Sequence, residues 1–270
     1  MTINFTKMNG AGNDFVVLDN RDLSHSLTGD QIAALCDRHR GVGADGLLAV
    51  EPAESGAHFK FRYYNADGGE AEMCGNGARC YGRFAQRLAE GNPEVLTFET
   101  VVGELAANFD GDLVEIAMSD PFDLELDVNL GIEGVGRVDV INTGVPHVVV
   151  FVEDLANTDV IALGREIRNH SHFAPAGTNV NFAKVVGDQH IAIRTYERGV
   201  EDETLACGTG MTACALIANL LNCTASPIKV DVKGGDTLEI GFQPGENNTF
   251  TEVTLKGPAD FVFTGQIEIT

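Results

Sequence analysis

Two segments of the chain join a helical pattern of apolar residues to the same short start, a cysteine followed by Gly-x-Gly. After Cys74, apolar residues recur at helical spacing until Gly91-Asn92-Pro93 ends the pattern. After Cys207, the spacing predicts a helix to Asn222 that is apolar on almost every side. A helix without a polar face has to be enclosed, so we expect this one at the centre of a barrel-like sheet.

Strand-like patterns surround both helices in the same order. Alternating residues predict strands at 58–65 and 190–199, shortly before the cysteines. Apolar runs that start at Val95 and Ile228, equally far beyond each cysteine, predict the first strand of a hairpin. The order of strand, cysteine, helix and hairpin therefore occurs twice, and a last strand is predicted at 261–269.

The rest of the pattern divides the chain. A further helix is predicted from Asp30 to Arg40, with Asp30 as its N-cap. Ser119-Asp120-Pro121 breaks the strand pattern and is the predicted linker. We expect an N-terminal half at 1–118 and a C-terminal half at 119–258.

The two cysteine segments also align with each other in sequence. Residues 61–77 match residues 193–210 after one inserted residue, which pairs Arg62 with Arg194. A duplicated unit with one thiol in each half indicates chemistry that needs two such groups on opposite sides of a substrate.

Composition excludes several classes of protein. The 44% hydrophobic content is enough for an ample core, and no apolar run is long enough to span a membrane. A net charge of −22 argues against nucleic acid, whose phosphates attract clustered Lys and Arg. The start of the chain lacks a signal-peptide pattern, and the six cysteines include no Cys-x-x-Cys pair. We expect a cytoplasmic protein with reduced thiols.

A Cys-Gly-x-Gly segment at the start of a helix suits acid/base chemistry. The free N–H groups of the first turn can bind a carboxylate, and the same partial positive charge stabilises a thiolate. Two such helix starts would hold one carboxylate with a thiol on each side of the neighbouring carbon. That arrangement fits stereoinversion, in which one thiolate removes the α-proton and the other thiol returns a proton to the opposite face.

Other motifs carry weaker signals. Gly41 to Gly46 fits the dinucleotide pattern G-x-G-x-x-G but follows a helix-like segment, so we interpret it as a glycine-rich turn. His170 and His172 could share one face of a strand, yet no set of metal ligands surrounds them in the sequence. We therefore interpret this segment as a solvated loop, and no metal is predicted. The remaining cysteines lack the Gly-x-Gly context and are interpreted as structural: Cys36, Cys80, Cys214 and Cys223.

The chain resembles the diaminopimelate epimerase family over essentially its whole length. Three segments carry the resemblance in order, at Lys7–Asp19, Asn65–Cys80 and Tyr196–Gly210. The resemblance implies interconversion of LL- and meso-diaminopimelate in lysine and peptidoglycan precursor biosynthesis, without a cofactor. It also implies a homodimer as a possible assembly.

The resemblance assigns roles to individual residues. It implies that Cys74 and Cys207 are the two acid/base groups. It implies that the reacting carboxylate is bound by Gly75, Asn76, Gly208 and Thr209. The distal end of the substrate would be bound by Asn13, Asn65, Asn179 and Arg198. Glu197 and His147 would lie near the reacting centre. Val145 stands where the family often has Asn, and Gly46 stands where some members carry Gln.

The fold implied by the resemblance is α+β, with two pseudo-symmetric domains that each wrap a mostly antiparallel sheet around a central helix. The C-terminal strand, about 259–270, would return to the first domain. Three other functions remain open at this point. They are a racemase for proline or hydroxyproline on the same scaffold, a thiol redox protein that cycles Cys74 and Cys207, and a non-catalytic binding protein for diamino acids.

Overall fold

The computed structural model of the protein describes residues 1–71, 74–101 and 103–269. Met73, which directly precedes the first of the two cysteines, lies outside the described residues. The chain divides into two compact units. Unit 1 consists of Met1–Ala117 and Gly257–Thr270, and unit 2 consists of Met118–Lys256.

The described residues form four α-helices and seventeen strands. The helices are α1 Gly29–Cys36, α2 Gly75–Leu88, α3 Val160–Arg168 and α4 Gly208–Leu220. The strands are β1 Thr2–Gly10, β2 Asn13–Asp19, β3 Gly46–Glu51, β4 Phe59–Asn65, β5 Val95–Thr100, β6 Gly103–Asp110, β7 Leu113–Ala117, β8 Phe122–Val128, β9 Val138–Asn142, β10 Pro146–Phe151, β11 Asn179–Gly187, β12 His190–Glu197, β13 Asp202–Thr204, β14 Ile228–Asp231, β15 Thr237–Pro244, β16 Phe250–Pro258 and β17 Asp260–Glu268. Short 3₁₀ turns occur at Ser171–Phe173 and Glu246–Asn248.

The two units share one strand order. In unit 1, β17 pairs with β1 and the order continues from β1 to β7, with parallel pairing at β2–β3 and β4–β5. In unit 2, the order runs from β8 to β12 and then β14 to β16, with parallel pairing at β10–β11 and β12–β14. All the other pairs named are antiparallel. The prediction of two pseudo-symmetric α+β domains with mostly antiparallel sheets is confirmed.

Each unit encloses one long helix. Helix α2 contacts β1 to β7, and α4 contacts strands from β9 to β15. Residues 210–218 of α4 are all buried, as expected for a helix without a polar face. Around α2, the aromatic rings of Phe61, Tyr81 and Phe98 pack with centroids 4.8–5.9 Å apart. Enclosure along the sides leaves the helix ends as the places where backbone groups can meet a ligand. None of the described helices combines the length and apolar surface needed to cross a bilayer.

The prediction for α1 is wrong at both ends. Its N-cap is Thr28, whose hydroxyl accepts from the Gln31 N–H while the Gln31 side chain accepts from the Thr28 N–H. This reciprocal capping box satisfies two backbone donors, which Asp30 cannot do from inside the helix. The helix ends at Cys36 because the Asp37 carboxylate accepts the N–H groups of His39 and Arg40 at 2.7 and 2.8 Å and holds a turn.

Helix α4 also ends earlier than its apolar pattern predicts. Asn222 adopts a left-handed conformation with φ 56°. Its N–H donates to the Asn219 carbonyl, and the Cys223 N–H donates to the Ala218 carbonyl, both at 2.9 Å. This is a Schellman motif, which satisfies the last carbonyls and ends the helix at Leu220.

Close packing of α3 on β12 generates a stability prediction. A Cβ added at Gly164 would lie 2.5 Å from Cβ and 2.7 Å from Cγ of Tyr196, which is fully buried. We expect Gly164→Ala to lower the free energy of unfolding by about 1–3 kcal/mol, because overpacking outweighs the better helix propensity of alanine. Gly136→Ala is the matched control, since a Cβ there meets no atom within 4 Å. Equal thermal stability of the two variants would contradict this packing.

Candidate active site

Cys74 occupies the N-cap position of α2. Its backbone is extended, with φ −142° and ψ 116°, and its Sγ accepts the Gly77 N–H at 3.4 Å. Gly75 and Asn76 follow as buried residues of the first turn. The thiol is therefore held at the positive end of the helix, where a thiolate is stabilised.

Cys207 occupies the equivalent position before α4. Its backbone has φ −129° and ψ 110°, and its Sγ lies 3.5 Å from the Thr209 hydroxyl. The side chain is largely buried, with the residue 8% exposed. Gly210 is required in this turn because a Cβ there would overlap the Asn181 side chain. Each cysteine thus stands where the first N–H groups of an enclosed helix begin, and such groups lack an acceptor within the helix.

Ion pairs extend the similarity of the two cysteine segments. Arg62 on β4 pairs with Glu70 at 2.8 Å, and Arg194 on β12 pairs with Glu203 at 2.7 Å. Each glutamate lies four residues before its cysteine in the sequence. In both units an arginine of the preceding strand therefore anchors the segment that leads into the cysteine.

In unit 1, Asn13 is joined directly to the helix start. Its Oδ1 accepts from Asn76 Nδ2 at 2.6 Å, and its Nδ2 donates to Asp45 at 2.9 Å. Asn65 lies at the end of β4 with an exposed residue surface, and its side chain accepts from Tyr63 at 2.9 Å. Asn13 and Asn76 form one polar cluster beside Cys74.

Arg79 is a residue of this cluster that the sequence analysis missed. It is fully buried on α2, and its guanidinium donates to the Asn76 Oδ1 at 3.0 Å and to the Gly75 carbonyl at 3.4 Å. A buried arginine one helical turn beyond a cysteine gives no pattern that distinguishes it from a surface arginine on an amphipathic helix. Its burial follows from the enclosure of α2 by strands.

In unit 2, His147, Asn179 and Arg198 come together on neighbouring strands. His147 on β10 and Asn179 on β11 are register partners. Asn179 Oδ1 accepts the Arg198 backbone N–H at 2.8 Å, and the Arg198 guanidinium donates to the Ala176 carbonyl at 3.3 Å. Glu197 is the half-buried last residue of β12. The strand ends thus present an imidazole, an amide, a carboxylate and a guanidinium.

The His147 ring is neutral at ordinary pH. Complete burial, followed by the nearby charge of Arg198, lowers the pKa of His147 from 6.5 to about 3. Desolvation penalises the imidazolium form, and a neighbouring guanidinium repels it. Asn181 Nδ2 lies 3.1 Å from His147 Nδ1.

The remaining cysteines differ in exposure from one another. Burial raises the pKa of Cys36 to about 11 and that of Cys80 to about 12, and it raises the pKa of Cys214 further. Cys223 is exposed. The three buried thiols stay protonated and unreactive at ordinary pH, in agreement with their structural interpretation.

The structure adds detail at two of the weaker motifs. His170 and His172 belong to a 3₁₀ turn and not to a strand, and His172 Nε2 lies 3.3 Å from Glu125. At Gly46, the first residue of β3, a Cβ would lie 2.6 Å from the Tyr64 carbonyl. Close backbone approach therefore accounts for the glycine at this position.

A family model and curated relatives indicate the same family. A family model described as diaminopimelate epimerase matches residues 5–121 and 140–262. The diaminopimelate epimerase of Hydrogenobaculum sp. (strain Y04AAS1) is 43% identical, covering 97% of each chain. The enzyme of the same name from Archaeoglobus fulgidus is 46% identical, covering 87% of this chain and 88% of the relative.

Solved structures with low sequence identity share the fold. A PhzF-family phenazine biosynthesis protein from Bacillus anthracis superposes with a TM-score of 0.75 at 16% identity, covering all of both chains. A hydroxyproline epimerase from Agrobacterium vitis superposes with a TM-score of 0.73 at 18% identity, covering 98% of this chain and 92% of that one.

The Glu203 ion pair generates a stability prediction. Glu203 has a side chain that is 4% exposed, and it accepts from both Arg194 and Lys233. We expect Glu203→Gln to lower the free energy of unfolding by about 1–3 kcal/mol, because the buried carboxylate that pairs with both cations is lost. Glu54→Gln is the control, since Glu54 is 75% exposed in its pair with Lys60 and should change stability by less than about 0.5 kcal/mol. Similar unfolding temperatures for the two variants would argue against a structural role for the Arg194–Glu203 pair.

The neutral state of His147 predicts a pH dependence of stability. Above pH 6.5 the imidazole is neutral in both the folded and the unfolded chain, so its titration does not change the free energy of unfolding. Between pH 6.5 and about 3 only the unfolded chain binds the proton, so stability falls as the pH falls. The expected slope is about 1.4 kcal/mol per pH unit. Urea unfolding of wild type and His147→Asn across this range measures it, and parallel curves for the two proteins would show that His147 is not held neutral.

Proposed function

Because the chain belongs to the diaminopimelate epimerase family and is therefore an isomerase, we propose that it interconverts LL- and meso-diaminopimelate with Cys74 and Cys207 as its acid/base pair. The observation that carries the proposal is the duplicated helix start, with each cysteine at the N-cap of an enclosed helix. We further propose that the product serves lysine and peptidoglycan precursor biosynthesis. The expected cytoplasmic location, the homodimer and the absence of nucleic-acid binding stay predictions.

The proposed reaction inverts one α-carbon. A thiolate on one side takes the α-proton, and the thiol on the other side donates its proton to the opposite face, so that the two cysteines exchange protonation states in each turnover. One cysteine must be ionised while the other is protonated, which couples their titrations. The reaction requires both sulfurs to flank the same α-carbon, and it requires no cofactor.

The helix starts are suited to the charge that develops in this reaction. Removal of the α-proton moves negative charge onto the adjacent carboxylate. First-turn N–H groups at Gly75, Asn76, Gly208 and Thr209 are fixed donors, and all of these residues except the half-buried Thr209 are buried. They therefore stabilise that charge without reorganising. A lower barrier to carbanion formation is the expected result.

The distal amino-acid end of the substrate needs groups that match a zwitterion. Arg198 can bind a carboxylate, while Asn13, Asn65 and Asn179 offer amide donors and acceptors without adding net charge. His147 on β10 is the register partner of Asn179 on β11, and Glu197 ends β12 directly before Arg198. These positions support a place for His147 and Glu197 near the same substrate. A cyclic imino acid such as proline has no second amino-acid end for these side chains to bind.

The proposal predicts a strict need for both thiols. In D₂O, wild type should epimerise LL-diaminopimelate and introduce deuterium at the inverted α-carbon, detected by NMR. Cys74→Ser and Cys207→Ser should each lose about 10²–10⁴-fold in epimerisation, the usual contribution of a positioned acid or base. Cys223→Ser is the matched control, because this thiol is exposed and lacks the helix start, and it should keep wild-type activity.

Other outcomes would contradict the proposal in distinct ways. Isotope exchange with proline or hydroxyproline alone would assign a different substrate on the same scaffold. Thiol–disulfide exchange that depends on Cys74, without α-proton exchange, would favour the redox function. Binding of diaminopimelate without any deuterium incorporation would indicate a binding protein.

A further inference from the structure

A buried amide lies directly beneath the start of α4. Asn181 on β11 is fully buried, and its Nδ2 donates to the Val148 carbonyl at 2.8 Å. The Thr195 hydroxyl donates to Asn181 Oδ1 at 2.9 Å. A carbonyl oxygen can only accept, so the bond to Val148 fixes which end of the amide is nitrogen. The orientation of the Asn181 side chain is thereby set by the sheet around it.

This orientation determines the protonation pattern of His147. The second N–H of Asn181 Nδ2 faces His147 Nδ1 at 3.1 Å, and an amide NH₂ group can only donate. Nδ1 must therefore accept, and the single proton of the neutral ring is on Nε2. The Nε2 atom is buried and has no hydrogen-bond partner among the described residues. A buried donor without an acceptor costs about 1–3 kcal/mol, which favours a ligand that supplies the acceptor.

Asn181 also links this imidazole to the helix start within unit 2. A Cβ at Gly210 would overlap Asn181 Oδ1, so the first turn of α4 packs directly against the Asn181 amide. The same amide holds the His147 ring through Nδ1. One side chain thus sets the ring relative to the turn that begins at Cys207.

We propose that Asn181 is a positioning residue that holds His147 as the Nε2–H tautomer, so that this N–H donates to a carboxylate oxygen of the bound substrate. The acceptor is an anion because Arg198 lies near the same ring and makes the surroundings positive. The identity of the substrate rests on the proposed function, whereas the tautomer and its cause do not.

The tautomer can be measured in the free protein without substrate. Long-range ¹H–¹⁵N correlation spectra of the ¹⁵N-histidine-labelled protein at pH 7 should show a protonated Nε2 and an unprotonated Nδ1 for His147. The His147→Gln variant assigns the signals among the seven histidines. A protonated Nδ1 in the wild type would overturn the proposal, and this measurement needs no change at Asn181.

Variants at Asn181 test whether this residue determines the tautomer of His147. Asn181→Asp presents a carboxylate that accepts from Nδ1, so it should invert the tautomer, while Asn181→Leu removes the donor and should leave a mixture. Thr195→Val is the matched control, since it removes the bond to Oδ1 but keeps both Nδ2 bonds, and it should retain the wild-type tautomer. Wild-type spectra from both Asn181 variants would overturn the role of Asn181.

Kinetics separate this inference from the proposed function. With diaminopimelate, Asn181→Asp should lower kcat/KM about tenfold or more in both directions, which corresponds to one charged hydrogen bond of about 1.4 kcal/mol. If wild type shows no epimerisation but the Nε2–H tautomer is found and inverts, the proposed function fails and the assignment of Asn181 stands. If wild type epimerises while Asn181→Asp inverts the tautomer at unchanged kcat/KM, the Nε2–H group does not contact substrate and the inference is overturned.

Discussion

An α-helix enclosed by strands along its length can offer its backbone polar groups only at its ends. This constraint applies to α2 and α4, the central helices of the two units. Each begins with a cysteine at the N-cap and a glycine immediately after it. Because N–H groups at a helix start lack an acceptor within the helix, they are the part of an enclosed helix that is suited to an anion. The placement of each thiol and the carboxylate binding proposed for these helix starts depend on that enclosure.

At the two helix starts, the carbonyl of the first glycine accepts a hydrogen bond from different side chains. The alignment that pairs Cys74 with Cys207 also pairs Arg79 with Thr212. Arg79 donates to the carbonyl of Gly75 at 3.4 Å, and the Thr212 hydroxyl donates to the equivalent carbonyl of Gly208 at 3.1 Å. In unit 1 the group beneath the first turn is therefore a buried cation, whereas in unit 2 it is a neutral hydroxyl.

In unit 2, the buried polar side chains next to the start of α4 are neutral. His147 is held without charge by burial, and Asn181 orients it through an amide whose own direction is set by Val148. Buried polar groups are stable when each has a defined partner, and they then enforce one geometry. Differences of this kind distinguish the two copies of the duplicated unit.

Sequence patterns predicted the strands and helices that depend on local residue periodicity. The strands that begin at Val95 and Ile228 and the apolar helix after Cys207 lie where the periodicity places them. Element ends were less predictable, because Asp37 and Asn222 end their helices through specific side-chain and left-handed backbone conformations. The Asp30 N-cap was wrong because two plausible capping residues lie close together and only the reciprocal bonds of Thr28 with Gln31 distinguish them.

The sequence by itself determined the duplication, the position of each cysteine before a helix and the family, because all three depend only on the spacing and the type of residues. Tertiary structure decided which ordinary polar residues became buried partners. Arg79 and Asn181 carry no local signal, for an arginine on a helix and an asparagine on a strand are usually exposed. Their burial arises from strands that are distant in the chain, and a buried polar group must find its hydrogen-bond partner there, whichever residue the fold brings to it.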